Sequence, residues 1–147
     1  MKNLANESDR RAITARINAL TADSKARWGQ MDVGQMLAHC QRPLELAISN
    51  PKPPRNLLGR LLGSFAKAGV YGEKPYKKNG YTPPPFKIIG PQEFAANKEK
   101  LLTLIERFPK EISGVELTHP FFGPLAKEEW GWGQYKHLDH HLQQFGV

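Results

Sequence analysis

Apolar residues recur at helical spacing through four long stretches of this chain, and that periodicity restricts the fold more than any other feature. The clearest stretch runs from about Asp32 to Ser49. Val33, Met36, Leu37, Cys40, Leu44, Ala47 and Ile48 form one stripe along it. Asp32 and Gln35 stand at capping-box spacing, and Met31 and Met36 at the spacing of a hydrophobic staple. Asn50-Pro51-Lys52-Pro53-Pro54 is expected to stop this helix. An earlier helix is expected from about Asn6 to Leu20, with Ile13, Ile17 and Leu20 on one side and Asn6 and Asp9 as cap and first-turn acid. A third long helix starts near Pro91, buries Phe94, Leu101, Leu102, Ile105 and Phe108, and ends at Pro109. The last runs from about Lys127 to Phe145, with Gly146 placed for a C-terminal cap. Gly131 and Gly133 either weaken its first turns, each by roughly 1 kcal/mol relative to Ala, or mark a close backbone approach. Residues 110–124 read as a loop, and no strand pattern stands out. Four long helices around one core predict an all-α four-helix bundle, one domain over residues 1–147.

Between the second and third long helices lies a Pro-rich connection, residues 51–90. Leu57, Leu58, Leu61, Leu62 and Phe65 predict a short amphipathic helix in it, with Arg55, Arg60 and Lys67 on the polar side. Such a helix either lids the end of a bundle, the favoured reading, or touches a membrane surface. Lys74 to Pro85 contains too much Pro and Gly for regular helix or central strand. Connections this long are usually functional.

The formal net charge is +7, with basic residues spread along the chain and modestly concentrated between Lys52 and Lys87. No nucleic-acid-binding motif accompanies them, so a solvated basic surface is expected, without a specific nucleic-acid partner. No apolar run reaches about 18 residues, so no membrane span is expected. The first residues lack a signal peptide's apolar stretch, and Cys40 is the single cysteine. A reducing cytoplasm fits both features.

Three of the five histidines fall in Lys136-His137-Leu138-Asp139-His140-His141. His137 and His141 are one helical turn apart, about 40° around the axis, so their rings stack on one face. That stripe flanks the apolar arc made by Tyr135, Leu138, Leu142 and Phe145. Asp139, Lys136 and Gln143 are expected to face water, and His140 leans outward, roughly 60° from His137. On the second helix His39 also flanks the core. Pro43, four residues later, removes the backbone donor to the His39 carbonyl. His39, His137 and His141 are therefore the candidate ligands of one divalent metal ion, in a set of three that leaves a coordination position open. Neutral imidazoles suit Zn, Ni, Fe or Cu. Set beside this, Cys40 reads as a buried small hydrophobe and Trp28, Trp130 and Trp132 as packing residues or pocket walls. His119 reads as a loop residue near substrate or ligands.

Trp28 to Cys40 resembles the second-helix signature of the DinB-like, or YfiT-like, metal-dependent hydrolases. His119-Pro120-Phe121-Phe122-Gly123-Pro124-Leu125, Glu129-Trp130 and Lys136 to Gly146 resemble an uncharacterised branch of that superfamily. The resemblance implies a four-helix bundle that binds a divalent ion, Ni or Zn, through His39, His137 and His141. It also implies an enzyme, either a hydrolase or a thiol-dependent transferase, acting on a small-molecule substrate with a low-molecular-weight thiol among the candidates. The alternative is a non-catalytic metal-binding or stress-related bundle. A homodimer is compatible with either. No catalytic base is evident, since Gln134, Gln144 and His140 are near the right turns without singling themselves out.

Overall fold

At the starts of two long helices a side chain takes up a backbone N–H that the helix itself leaves unpaired. The computed structural model of the protein describes residues 1–49, 54, 57–112 and 117–147. Helix α1 spans Glu7–Ala19, with Asn6 at the cap position. The Asp9 carboxylate fastens the approach by accepting from the Asn3 N–H at 2.8 Å. Helix α2 spans Val33–Ser49. Its capping box is reciprocal: the Gln35 N–H donates to Asp32 Oδ1 at 2.7 Å, and the Asp32 N–H donates to Gln35 Oε1 at 3.1 Å. Residues 50–53 of the proline-rich stop, and Arg55 on the polar side of the next helix, lie outside the described residues. That next helix, α3, spans Leu57–Tyr71. A 3-10 turn follows at Pro84–Phe86.

Helix α4 spans Phe94–Glu111. It starts after Pro91 because the Glu93 carboxylate caps it, accepting from the Ala96 N–H at 2.9 Å. Pro109 lies inside the helix instead of ending it. So close to the end, proline removes only one helical hydrogen bond. The Ile112 N–H still donates to the Phe108 carbonyl at 3.2 Å. Helix α5 spans Lys127–Gln144, and the Glu129 carboxylate accepts from the Ala126 N–H at its start. Gly146, at φ +82°, turns the chain out of it.

The expected loop before α5 holds two short strands, a correction to the reading without strands. Strand β1, Leu117–His119, pairs antiparallel with β2, Gly123–Leu125, in a register that sets Leu117 opposite Leu125. Three-residue strands are too short to show an alternating pattern. The protein is otherwise mostly helical. Its core is built from Ile13 and Ile17 of α1, Leu37 and Leu44 of α2, Ile105 and Phe108 of α4, and Trp130 and Leu138 of α5. Helix α2 packs along α4, while α5 packs against α1 and α2.

Helix α3 departs most from expectation. Two of its glycines face inward and its leucines outward. Gly59 and Gly63 are buried, whereas Leu57, Leu58, Leu61, Leu62 and Phe65 are exposed. A Cβ on Gly63 would strike the Phe121 carbonyl of the hairpin, so the close approach requires glycine there. Lys136, expected to face water, is buried beneath the end of this helix. Its ammonium donates to the Val70 and Gly72 carbonyls at 3.1 and 2.6 Å. A cation at a helix C-terminus satisfies otherwise unpaired carbonyls and complements the helix dipole.

Candidate metal centre

Helix α2 supplies His39, and α5 supplies His137 and His141 one turn apart. One ring nitrogen from each lies within 4.8 Å of the other two. The three rings form a nearly equilateral set, with centroids 4.9, 4.7 and 4.7 Å apart. His39 Nε2 and His137 Nε2 approach to 3.0 Å.

The outward nitrogens fix which way the inward ones face. His39 Nδ1–H donates to the Phe86 carbonyl oxygen at 2.8 Å. A carbonyl only accepts, so the proton sits on Nδ1 and the Nε2 lone pair of neutral His39 points at His137. His141 Nδ1 lies 2.9 Å from Gln144 Oε1. The Gln144 amide nitrogen in turn donates to the Trp28 carbonyl at 2.6 Å, which leaves Oε1 to accept from His141. A ring nitrogen that donates outward while its partner nitrogen faces inward is the usual support for a metal-binding imidazole. His137 has no such support among the described residues, where its buried Nδ1 meets no hydrogen-bond partner.

Electrostatics act in the same direction. Burial lowers the pKa of all three rings, with mutual repulsion adding to the effect at His137 and His141. His141 falls to about 3. At neutral pH the three imidazoles are uncharged; His39 Nε2 carries no proton, so the 3.0 Å contact is a hydrogen bond from His137 Nε2–H to it, and a bound cation would take that proton's place. The donor set of His39, His137 and His141 is therefore compatible with a metal ion.

The other candidates separate from this cluster. Asp139 faces away, in an ion pair with Arg16 at 2.6 Å. Cys40 is buried, its thiol against Met36 Sδ at 3.7 Å, and burial pushes its pKa up. Gln134 turns to the second helix and donates to the Pro43 carbonyl at 3.3 Å. His119 belongs to the hairpin: its Nδ1 accepts from the Phe121 and Phe122 N–H groups at 3.1 and 3.2 Å. His140 stands beside His141, ring centroids 5.1 Å apart, and faces a cleft of about 450 Å³ shared with Trp28, Tyr76, Lys78, Trp132 and Lys136. Lys78 sits over the Trp28 ring at 4.3 Å.

Two supports escape sequence reasoning because they are backbone carbonyls, those of Phe86 and Trp28. Gln144 carries a readable signal, lying three residues after His141 and on the same stripe. No curated protein and no solved structure matches the chain. The family described as "Protein of unknown function (DUF1569)" matches residues 2–146, so nearly the whole chain is covered and the protein belongs to that family.

Proposed function

We propose that the protein is a metal-dependent enzyme of the DinB-like kind. In this reading α1, α2, α4 and α5 form the four-helix bundle, and His39, His137 and His141 hold one divalent ion, nickel or zinc. The reaction is hydrolysis or thiol-dependent transfer on a small molecule. One observation carries the reading: inward ring nitrogens converge while His39 and His141 are locked from outside by Phe86 and Gln144. When bound, the ion supplies Lewis acidity toward water or a thiol. The remaining work falls to the chain. The Phe86 carbonyl and the Gln144 carboxamide hold two imidazoles in one tautomer. Lys78 gives the neighbouring cleft a cationic wall for an anionic substrate. His140, lining that cleft beside His141, is the side chain placed to exchange a proton with a molecule bound there.

A second reading, a metal-binding protein without catalysis, is favoured by a different observation. The cleft is lined by His140 and not by His39, His137 or His141. Metal analysis of untagged protein tests the site, with about one ion per chain expected. His39→Ala, His137→Ala and His141→Ala should each abolish stoichiometric binding, and His140→Ala should keep it. Full occupancy in His39→Ala would overturn the assignment. The cobalt-substituted protein then separates the two readings. Its visible spectrum should change on adding a small thiol or azide if a coordination position is open. A spectrum indifferent to both favours the non-catalytic reading.

A further inference from the structure

We propose that α3 is an interfacial helix that docks the protein on the surface of an anionic lipid bilayer. The first observation is the helix's inverted packing. Around its axis, Leu57, Leu61, Phe65, Leu58 and Leu62 fall within an arc of roughly 140°. All five are exposed, Phe65 at 83% and Leu57 at 74%. Single exposed leucines need no explanation, but five on one face make a contiguous apolar surface of the kind that marks an interaction site.

The orientation is held by specific contacts. On the opposite side Gly63 lies against the hairpin backbone, where a Cβ would strike the Phe121 carbonyl. Lys67 pairs with Glu129 of α5 at 2.6 Å. The Trp132 indole N–H donates to the Tyr71 carbonyl at 2.7 Å, and Lys136 binds the carbonyls at the helix end. Rotating the leucines inward would break all of these contacts. The outward apolar face therefore belongs to the folded state.

Charge selects the occupant. Residues 50–92 contain eight Lys and Arg against a single acid, Glu73, so this segment alone carries the chain's net +7. The remaining residues balance, with thirteen basic and thirteen acidic side chains. Helix α3 itself has no acidic residue, and the exposed Arg60 lies about 60° from Leu57, at the rim of the apolar arc. An apolar face with Arg60 at its rim, in a segment of net positive charge, suits an anionic lipid surface, where leucine and phenylalanine enter the acyl boundary and the cation meets the headgroups. The same charge opposes a second copy, because a two-fold pairing through α3 would bring two such basic segments together. Among the described residues no helix is long and apolar enough to cross a membrane, so the contact is peripheral.

Co-sedimentation of the whole protein with vesicles tests this, using phosphatidylcholine alone and phosphatidylcholine mixed with phosphatidylglycerol. Binding is expected to the mixed vesicles, weaker to the neutral ones, and reduced by salt. Leu61→Ser with Phe65→Ser should lower the partition coefficient by roughly tenfold or more. Arg60→Glu should weaken it and flatten its salt dependence. These side chains are exposed, so circular dichroism should report unchanged helix content in both variants. Absence of wild-type binding, or equal binding to both vesicle types, overturns the proposal. So does sedimentation as a dimer that the Leu61→Ser, Phe65→Ser variant converts to monomer, which would assign the face to a second copy.

Discussion

Gln144 shows how much one carboxamide can decide. Its nitrogen is committed to the Trp28 carbonyl, so its oxygen faces His141 and holds the ring proton on Nδ1. Gln144→Leu removes both contacts and leaves the partly buried Trp28 carbonyl without its donor. It should destabilise the protein by about 1–3 kcal/mol and weaken metal binding roughly 10- to 100-fold, measured by thermal melts and a chelator competition. Unchanged metal affinity would mean that Gln144 only tethers the Trp28 loop. His119 makes a separate statement about pH. Its neutral ring accepts two backbone N–H groups, and burial lowers its pKa to about 4. The unfolded chain, with a histidine pKa near 6.5, takes up a proton first as the pH falls. Stability from His119 is thus fully present above about pH 6.5 and is lost progressively toward pH 4, by at most about 3 kcal/mol. The other buried histidines act with the same sign. The His119 share is therefore the difference between wild type and His119→Asn, followed by denaturant unfolding at pH 7 and pH 5. Parallel pH dependences in the two proteins would remove His119 from that role.

At the scale of elements, the two α5 glycines resolve a choice that composition leaves open. A Cβ on Gly131 would strike the Asn3 side chain, and one on Gly133 the Tyr71 ring. Alanine improves helix propensity by roughly 1 kcal/mol at an exposed site, yet here it must displace a packed neighbour. Gly133→Ala should therefore lower the melting temperature, and a rise would show that Tyr71 yields freely. Legibility follows the same logic. Periodicity and end signals locate α1, α2 and α5 within a residue or two, with Asn6 and Asp9 marking the start of α1, Asp32 and Gln35 that of α2, and Gly146 the end of α5. They place Ile13, Leu37 and Leu138 in the core correctly. Helix existence is legible in α3 but its facing is not, since an amphipathic pattern assigns the apolar side inward and here tertiary contacts hold the glycine side inward. The hairpin at residues 117–125 is held by backbone pairing and by the His119 ring, neither of which alters hydropathy. Lys136 misleads for a related reason: its position on α5 faces outward, but the end of α3 covers it. At the site, three histidines and the i, i+3 glutamine are side-chain signals and can be read. The Phe86 carbonyl is not, because any residue could present it, and its distance of 47 positions from His39 is closed only by the fold.

For the whole molecule, the question is how far metal and fold depend on each other. The core around Ile17, Leu37, Leu44, Leu101, Ile105 and Phe108 is complete without any ligand group, and each of these side chains is 1% exposed or less. At roughly 1.5–3 kcal/mol for each buried large apolar side chain, these residues outweigh what ordering three histidines requires. In the proposed site the histidines are already uncharged, and Phe86 and Gln144 hold two of them, His39 and His141, so most of the arrangement precedes an ion. A chelator-treated protein should then keep nearly all of its helix content and unfold cooperatively. Added zinc or nickel should raise its melting temperature by mass action, with a stabilisation of about 2.7 kcal/mol when free ion exceeds Kd a hundredfold. His39→Ala should melt close to the chelator-treated wild type and gain nothing from metal, since one lost ligand removes the linkage while leaving most of the core in place. Collapse of the helical signal on chelation would reverse the order of causes. The ion would then be part of the folding nucleus, as in small zinc domains, and the three histidines would be a structural clip instead of a prepared site.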